Sequence, residues 1–446
     1  MRALGRIAFG TNLRRALTLP LLAAAVYFLV ALLTFYRGAY DAPETVDLKF
    51  EEITTPISAH TIFTEQPELR SGLTVIDGAH NNDFDTAEIV SLLSSLANRG
   101  ITVDFMGVRT GFGGFRRVTS SERLEFLETR LHQAGSLVVI SPTEPYTEEE
   151  RGLVRRFVEK GGRLLLISDP TRTQQINSLA EEFGLSFQPG FLYNQVDYDL
   201  NHRNIFVKDF FADPVTEGLS QVAFYTAGAI RSGGPALAYT DGNTFSSLVE
   251  GVEPFYLLAR SSQENVLAVG DLTFMTPPQN TILDNSRLIA NIAEFLASSG
   301  REFELADFPY FLDGSTDIIL GRPSLLGLGA GLRQTLAKFQ IDASVKNREA
   351  PGENLVFLGL YDDAVEVERY LGLAGIQVGD TIRTPFSPDL EPEGSALISL
   401  QAQNGRHILI VLADSLDTLT DMADRLESGE FRDVIVSESL GVIAAN

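Results

Sequence analysis

A run of twenty uncharged residues near the N-terminus most constrains what this chain can fold into. Residues 17–36 read LTLPLLAAAVYFLVALLTFY, and Arg2, Arg6, Arg14 and Arg15 precede them. An α-helix needs roughly 20 apolar residues, at about 1.5 Å each, to cross the hydrocarbon layer of a bilayer. The sequence therefore predicts one transmembrane helix over residues 17–36.

The arginines in front of this helix predict its orientation, because short flanks rich in Lys and Arg stay in the cytoplasm. We expect residues 1–16 to be cytoplasmic and the bulk of the chain to be extracytoplasmic, in a single-pass protein of the cell membrane. A cleaved signal peptide is the alternative. Signal peptides usually have about 7 to 15 apolar residues and a small-x-small cleavage site. Residues 37–40, Arg-Gly-Ala-Tyr, offer no such site, which favours an intact anchor.

Composition excludes proteins that depend on cysteine chemistry and proteins that bind nucleic acid. The 446 residues include no cysteine, so the chain has no thiol nucleophile, no thiolate metal ligand and no disulfide. Beyond residue 37 the chain carries 30 basic against 59 acidic residues, a net charge of −29. Such a surface repels the phosphates of nucleic acid. We therefore expect no nucleic acid among its partners.

Apolar runs and amphipathic stretches alternate after the helix, as βαβ units do. We interpret residues 37–70 as a stalk, 71–300 as an α/β domain, 301–314 as a linker and 315–446 as a second, smaller α/β domain. The apolar runs that predict a parallel sheet in the first domain are 73–76, 101–105, 137–140, 164–167 and 266–269.

The second domain carries a clear hairpin signal. Asn404-Gly405 stands between two apolar runs, residues 396–400 and 407–412, and this dipeptide favours a tight two-residue turn. Further strands are predicted at residues 317–320 and 355–360.

Three segments of the first domain resemble a known family. They are SGLTVIDGAHNNDF, GSLVVISPTEPYTEEERGLVRRFVEKGGRLLLISDP and VLAVGDLTFMTPPQNTILDNSRLIANIAEFL. They look like membrane-anchored proteins of unknown function with a class I glutamine-amidotransferase-like, flavodoxin-related domain. This domain type is similar to auxiliary subunits of gliding-motility ABC transporters and to the N-terminal part of an intraflagellar-transport protein.

The resemblance covers residues 70–300 and implies both a fold and a role. The fold is the amidotransferase-like parallel sheet, and the role is membrane-associated and mostly non-catalytic. The chain departs from amidotransferases in one respect. Those enzymes need a cysteine nucleophile at a strand–helix elbow, and this chain has no cysteine.

Polar residues follow several of the predicted strands, at the edge where open parallel sheets bind ligands. They could form a pocket for a small polar ligand or a divalent cation, because carboxylates, amides and imidazole suit such ligands. They could instead cap helices and hold turns, which is the commoner role of Asn and Asp and the favoured interpretation. The candidate ligand-binding residues are Asp77, His80, Asn81, Asn82, Asp83, Asp169, Asp271 and Asn285.

No complete catalytic set is evident, and we assign no catalytic residue, no metal site and no cofactor. Ser141 follows a predicted strand, but Pro142 lacks the backbone N–H that an oxyanion hole would take from the residue after a nucleophile. Of the five histidines only His80 stands at a promising strand end. An enzyme would require His80, Asp77 and Asp271 to converge in one cleft.

These observations favour a non-catalytic, membrane-anchored binding or scaffold subunit of an envelope complex, tied to an ABC-type exporter. Its expected partners are the membrane, other envelope proteins and a small polar ligand. One alternative is an envelope hydrolase or metal-dependent enzyme built around His80. Another is an accessory protein of polysaccharide export, which would expose an aromatic platform formed by Tyr361, Tyr370 and Phe386.

Overall fold

The structure is a computed structural model that describes residues 9–36, 59–61, 63–110, 115–251, 254–387 and 389–443. Its contacts divide the chain into two units, Met1–Ile57 and Ser58–Asn446. Much of the predicted cytoplasmic segment and of the predicted stalk lies outside the described residues.

The first unit contains one long apolar helix, α1 (Phe9–Phe35). Its segment Ala16–Phe35 has a mean hydropathy of 2.4. The helix is long and apolar enough to cross a membrane, although a signal sequence near an N-terminus meets the same criterion. Among the described residues, no other helix does.

The second unit is a mixed α/β structure with a parallel-sheet core and several smaller sheets. Its α-helices are α2 (Val90–Asn98), α3 (Ser120–Leu131), α4 (Glu148–Glu159), α5 (Asn177–Ala180), α6 (Asn285–Ala297), α7 (Leu326–Lys338), α8 (Glu368–Leu373) and α9 (Leu416–Ser428). Its strands are β1 (Leu73–Asp77), β2 (Thr102–Met106), β3 (Val108–Arg109), β4 (Phe115–Arg116), β5 (Ser136–Ile140), β6 (Arg163–Ile167), β7 (Leu185–Phe187), β8 (Leu192–Asn194), β9 (Asn204–Val207), β10 (Asp209–Phe210), β11 (Val222–Tyr225), β12 (Ile230–Ser232), β13 (Ala236–Tyr239), β14 (Thr244–Ser246), β15 (Tyr256–Arg260), β16 (Val266–Val269), β17 (Ser315–Leu320), β18 (Asp342–Lys346), β19 (Asn354–Leu360), β20 (Gln377–Val378), β21 (Ile382–Arg383), β22 (Ala396–Gln403), β23 (Arg406–Ala413), β24 (Ile435–Ser437) and β25 (Leu440–Ile443).

The first sheet has ten strands, of which β2, β1, β5, β6 and β16 are neighbours and run parallel. The antiparallel strands β15, β13 and β10 extend it beyond β16. Alternate residues of its central strands pack on opposite faces. Ile76 of β1 joins one core with α2 and α6, and Val75 joins the other core with α3 and α4. Because both faces are covered, the central strands β5 and β6 are almost entirely buried and mostly apolar.

The five parallel strands predicted from apolar runs are confirmed to within a residue or two at their ends. The section between residues 185 and 260, which shows no clear periodicity in the sequence, forms strands β7 to β15. Among the described residues no α-helix lies between these strands, so the strand–helix alternation that marks the parallel strands is missing here.

Close backbone approach at the end of β16 requires a glycine. A Cβ atom on Gly270 would lie 2.1 Å from the carbonyl oxygen of Gly228, whose N–H donates to the Gly270 carbonyl at 2.7 Å. We expect Gly270→Ala to lower the free energy of unfolding by about 1–3 kcal/mol, because the two segments must move apart. Chemical denaturation of the purified chain would measure this.

Gly372, inside α8, is the matched control because a Cβ there meets nothing within 4 Å. Gly372→Ala should leave stability unchanged or raise it by up to about 1 kcal/mol, since alanine restricts the unfolded chain. Equal effects of the two substitutions would contradict the close approach at Gly270.

The second sheet has seven strands in the order β18-β17-β19-β23-β22-β25-β24. Strands β18, β17, β19 and β23 are parallel, and β22 and β25 are antiparallel additions. The predicted hairpin is confirmed: β22 and β23 pair across Asn404 and Gly405, whose φ angles are +52° and +77°. Positive φ at both positions is what the predicted turn demands.

Residues 301–314, for which the sequence predicts a linker, are packed between the two sheets. Phe308 and Phe311 are buried in the core of the second sheet. Asp307 accepts hydrogen bonds from both Arg301 Nη2 (2.9 Å to each oxygen) and His132 Nδ1 (2.7 Å), and His132 caps the end of α3. This segment therefore ties the two sheets together.

Residues 63–70, in the predicted stalk, lie on the first sheet's helices. Arg99, at the end of α2, donates to both oxygens of Glu65 at 2.7 Å and to Glu294 of α6 at 2.9 Å. The guanidinium of Arg287 covers the ring of Phe63 at 4.4 Å. We call residues 63–70 the strap.

Candidate functional site

The carboxyl ends of β1, β5, β6 and β16 lie side by side at one edge of the first sheet. Asp77 is the last residue of β1, and Ser141, Asp169 and Asp271 closely follow the other three strands. All four side chains are fully buried. The edge therefore holds polar groups that are enclosed by protein.

His80 and Asp77 form the centre of a buried network. His80 Nδ1 lies 2.9 Å from Asp77 Oδ2, and the imidazole stacks on the ring of Tyr146 at 3.7 Å with an interplanar angle of 12°. The Tyr146 hydroxyl donates to Asp77 Oδ2 at 2.7 Å, and the N–H of Ala79 donates to Asp77 Oδ1 at 2.9 Å. Asp77 and His80 are 0% exposed, so solvent does not reach the pair.

The network continues on the other side of His80. His80 Nε2 lies 3.4 Å from Glu150 Oε1, a distance suited to an ion pair but long for a hydrogen bond. Arg123 Nε donates to the same Glu150 oxygen at 3.1 Å, and Arg123 also pairs with Glu144. The buried network thus comprises Asp77, His80, Tyr146, Glu150, Arg123 and Glu144.

Ionisation within the buried network follows from these contacts. Burial alone would lower the pKa of His80, but the neighbouring carboxylates of Asp77 and Glu150 outweigh it and raise the pKa to about 9. Burial opposes the charge on both carboxyls, yet their contacts with His80 lower the pKa of each. Burial and the charge of Asp77 raise the pKa of the Tyr146 hydroxyl, which stays a neutral donor.

Asp271 belongs to a different set of contacts. It accepts hydrogen bonds from the backbone N–H groups of Tyr225 (2.7 Å) and Thr273 (2.7 Å). Burial raises the pKa of Asp271 to about 8; these backbone hydrogen bonds oppose the rise, and the nearby charge of Asp169 adds to it. At neutral pH the Asp271 carboxyl is therefore mostly protonated.

The raised pKa values of His80 and Asp271 both make the free energy of unfolding fall as the pH rises. The pKa of His80 is raised above its unfolded value of 6.5, so its stabilisation is complete below about pH 6.5 and is lost towards pH 9. The loss should be on the order of 3 kcal/mol. The raised pKa of Asp271 adds a loss between about pH 4 and 8. Thermal unfolding of the wild type and of Asp271→Asn at several pH values would separate the two. A flat profile for Asp271→Asn between pH 6.5 and 9 would contradict the His80 pairing.

The remaining predicted site residues take varied positions. Asn81 and Asp83 are exposed, and Asn81 Nδ2 donates to Thr143 Oγ1 at 2.8 Å. Asn285 is fully buried and bonds the backbone N–H and carbonyl of Ala223 at 3.0 Å each, and it also donates to the Gln279 carbonyl at 2.9 Å. The Asn285 amide thus joins α6 to β11 and has a structural role.

The two polar atoms of the Asn82 side-chain amide differ in their hydrogen bonding. Its Nδ2 donates to the carbonyl of Ile140 at 2.9 Å, whereas its Oδ1 is buried and has no hydrogen-bond partner among the described residues. The hydroxyl of Ser141 is also buried, and no hydrogen-bond partner for it lies in the described part of the chain. Ser141 follows Ile140 and has a positive φ of +38°.

The structure brings Asp77 and His80 together. It also brings Asp169 close to Asp271, because Thr273 contacts both. Thr273 Oγ1 lies 3.4 Å from Asp169 Oδ2, and the Thr273 N–H donates to Asp271. Among the described residues no contact joins His80 to Asp271. No local sequence pattern marks Tyr146, Glu150 or Arg123 as part of a site. Thr147 and Glu150 form a capping box at the start of α4, which accounts for one oxygen of the Glu150 carboxylate. Only the fold shows that the second oxygen of Glu150 faces His80 and Arg123.

The fold and the site define the class of protein as mixed α/β with a parallel-sheet core. No family model and no curated protein matches the sequence. Solved structures similar to this chain include the mmIFT52 N-terminal domain (TM-score 0.39, 12% identity, covering 52% of this chain and 100% of that one). A putative ThuA-like protein from Parabacteroides merdae has a TM-score of 0.34 at 12% identity, covering 53% and 94%. Exo-beta-1,4-mannosidase Op5Man5 from Opitutaceae bacterium strain TAV5 has a TM-score of 0.27 at 11% identity. That alignment covers 52% of this chain and 37% of the mannosidase. At these low TM-scores and identities the likenesses carry no argument about function.

Proposed function

We propose that the chain is a membrane-anchored, non-catalytic binding subunit of an envelope complex, with a class I glutamine-amidotransferase-like first domain. In this proposal α1 spans the cell membrane with its N-terminus in the cytoplasm, and the second unit is extracytoplasmic. The expected partner is an ABC-type exporter, as the family resemblance implies.

One observation carries the non-catalytic part of the proposal. Within the described ranges His80 is the only histidine at a strand end of the first sheet. Its ring is fully buried, and both of its nitrogens face carboxylates of the same chain. A general base must reach the substrate proton directly or through one water. The enclosed His80 stabilises the fold and offers no such access.

The other two functions receive less support. An enzyme built on His80, Asp77 and Asp271 would need contacts among all three, and Asp271 is bonded elsewhere. A glycan platform would need an exposed Tyr370, but Tyr370 is 3% exposed and its hydroxyl donates to Glu349 at 2.7 Å.

Co-purification of the full chain from its native membrane in mild detergent tests the proposal. We expect an envelope membrane protein to accompany it, with the ATPase or permease of an exporter among the captured proteins. We also expect the mass of the purified chain to include residues 1–36. The control replaces α1 with an unrelated single-span helix, which separates binding by the anchor from binding by the exported unit. Isolation as a lone monomer in every detergent, or a chain cleaved after residue 36, would overturn the proposal.

A further inference from the structure

We propose that a cleft at the junction of the two sheets docks a basic segment of a partner protein. We call this feature the junction cleft; its lining residues lie within the ranges 128–132, 308–310 and 426–433, together with Phe339. The inference rests on the proposed function and deepens it, because it gives the binding subunit a contact surface and a class of partner.

The junction cleft has room for a short stretch of peptide and is open to it. Its volume is about 520 Å³, which lies in the range of roughly 300–1,000 Å³ that ligand pockets occupy. Protein interiors otherwise leave few voids larger than a water molecule. Phe339, Glu427 and Glu430 are exposed to solvent where they line the cleft. A partner therefore reaches it without any rearrangement of the chain.

The floor of the junction cleft is aromatic. Phe308 and Phe431 line it and are buried. Tyr310 and Phe339 line it as a pair, with ring centroids 5.7 Å apart and ring planes at 88°. Phe339 is 39% exposed. Exposed aromatic rings bind apolar side chains and the cations of Arg and Lys, and protein interfaces are enriched in them.

Three helices end at the junction cleft. Helices α3, α7 and α9 end at Leu131, Lys338 and Ser428, and residues from the last turn or the cap of each one line the cleft. The C-terminal end of a helix has unpaired carbonyl groups and the equivalent of roughly half a negative charge. The backbone alone therefore gives the cleft a potential that favours cations.

Four exposed carboxylates, which we call the acidic rim, add to this negative potential. They are Glu128, Glu427, Glu430 and Asp433. Glu128 lies in the last turn of α3 and Glu427 in the last turn of α9. A negative side chain at this end of a helix opposes the helix dipole. These two carboxylates therefore do not stabilise the helices that carry them, and a bound cation would offset their effect.

The cations of the chain itself leave most of the acidic rim unpaired. Lys338 pairs with Glu427, and Arg425 pairs with Asp421 at 2.9 Å. Arg432, which also lines the cleft, donates to three backbone carbonyls. Among the described residues, the other three carboxylates of the rim form no ion pair. The cleft thus presents uncompensated negative charge above an aromatic floor.

Charge and shape together determine the occupant. The acidic rim repels nucleic acid, anionic lipid and a second copy of this chain, whose net charge is −24. A small inorganic cation would leave the aromatic floor uncovered. A protein segment that combines Lys or Arg with aliphatic or aromatic side chains matches both the rim and the floor.

Peptide binding to the full chain tests this proposal. The probes are two labelled, amidated peptides of equal length, one alternating Arg with Leu and the other alternating Glu with Leu. The chain is held in phosphatidylcholine nanodiscs, because neutral headgroups do not attract the basic peptide. Fluorescence anisotropy measures binding at several salt concentrations. We expect saturable binding of the basic peptide that weakens as salt rises, and no binding of the acidic one.

Two variants separate the rim from the floor. Glu430→Lys combined with Asp433→Lys should weaken binding of the basic peptide at least about tenfold, because like charges then face each other. Phe339→Ser leaves the charge unchanged and should weaken it at least about threefold. The matched control is Glu391→Lys combined with Glu393→Lys. It makes the same change of net charge at exposed positions outside the cleft and should bind as the wild type does.

Four results would overturn the inference: no binding of the basic peptide by the folded wild type, equal affinity for the acidic peptide, equal losses in the rim and control variants, or wild-type affinity in Phe339→Ser. The last two would show only a general attraction to an acidic chain. The proposed function fails separately. A partner that co-purifies equally with the wild type and the rim variant would refute the junction cleft alone. Peptide binding by a chain that has no partner in its native membrane would refute the proposed function alone.

Discussion

Replacing Asp77 with asparagine should destabilise the second unit by about 3–5 kcal/mol, the usual cost of removing one partner from a buried ion pair. Asp77 accepts hydrogen bonds from His80, Tyr146 and the N–H of Ala79. An asparagine keeps the shape but removes the charge that holds the imidazolium of His80 in a site without solvent. Denaturant unfolding of the full chain, followed by intrinsic tyrosine fluorescence or circular dichroism, would measure the change.

Asp83→Asn is the matched control, since Asp83 lies in the same segment and is exposed. Its effect should stay within about 0.5 kcal/mol. If Asp77→Asn fails to fold, Tyr146→Phe removes one hydrogen bond to Asp77 and should cost about 1 kcal/mol. An Asp77→Asn chain as stable as the control would refute the electrostatic coupling of the buried network.

Replacing Asp307 with asparagine should have an effect of similar size, about 3–5 kcal/mol, at the junction of the two sheets. Asp307 is 3% exposed and neutralises Arg301, which also donates to the carbonyls of Leu131 and Ala134. Without the carboxylate, Arg301 stays enclosed between the rings of Phe157 and Phe303. We expect the two sheets of the variant to unfold in separate steps, which denaturation monitored by hydrogen exchange would resolve.

Glu302→Gln provides the comparison for Asp307→Asn, because Glu302 is exposed and lies five residues earlier. It should change stability by less than about 0.5 kcal/mol. A single cooperative transition in Asp307→Asn, at the wild-type midpoint, would show that the junction does not depend on this carboxylate.

Local signals in the sequence were enough to predict the sheets. The run at residues 164–167 is apolar because both faces of β6 are covered, and Asn404-Gly405 specifies its turn by backbone conformation alone. The buried network was not predictable in the same way. His80 and Glu150 are 70 positions apart, and only the packing of α4 against the first sheet brings them together.

The sequence also could not distinguish polar residues of similar type at strand ends. Asp271 and Asn285 follow the same strand, yet one carries a raised pKa next to Asp169 and the other joins α6 to β11. The role of each side chain depends on which nearby backbone N–H and carbonyl groups need a hydrogen bond from it in the folded chain. Strand-end position alone therefore predicts where polar groups gather and not what each one does.

The strap has a practical consequence for producing the second unit without the N-terminal helix. A soluble version that starts at residue 71, the boundary the sequence suggests, would lack Glu65 and Phe63. Of the acidic partners that the described residues offer to Arg99, Glu294 alone would then remain. The groove between α2 and α6 would lose the residues that line one side of it. A version that starts at residue 59 retains these contacts together with the backbone bonds from residues 59 and 61 to residues 283 and 281. Including or omitting residues 59–70 therefore decides whether the preparation represents the native domain or a truncated one.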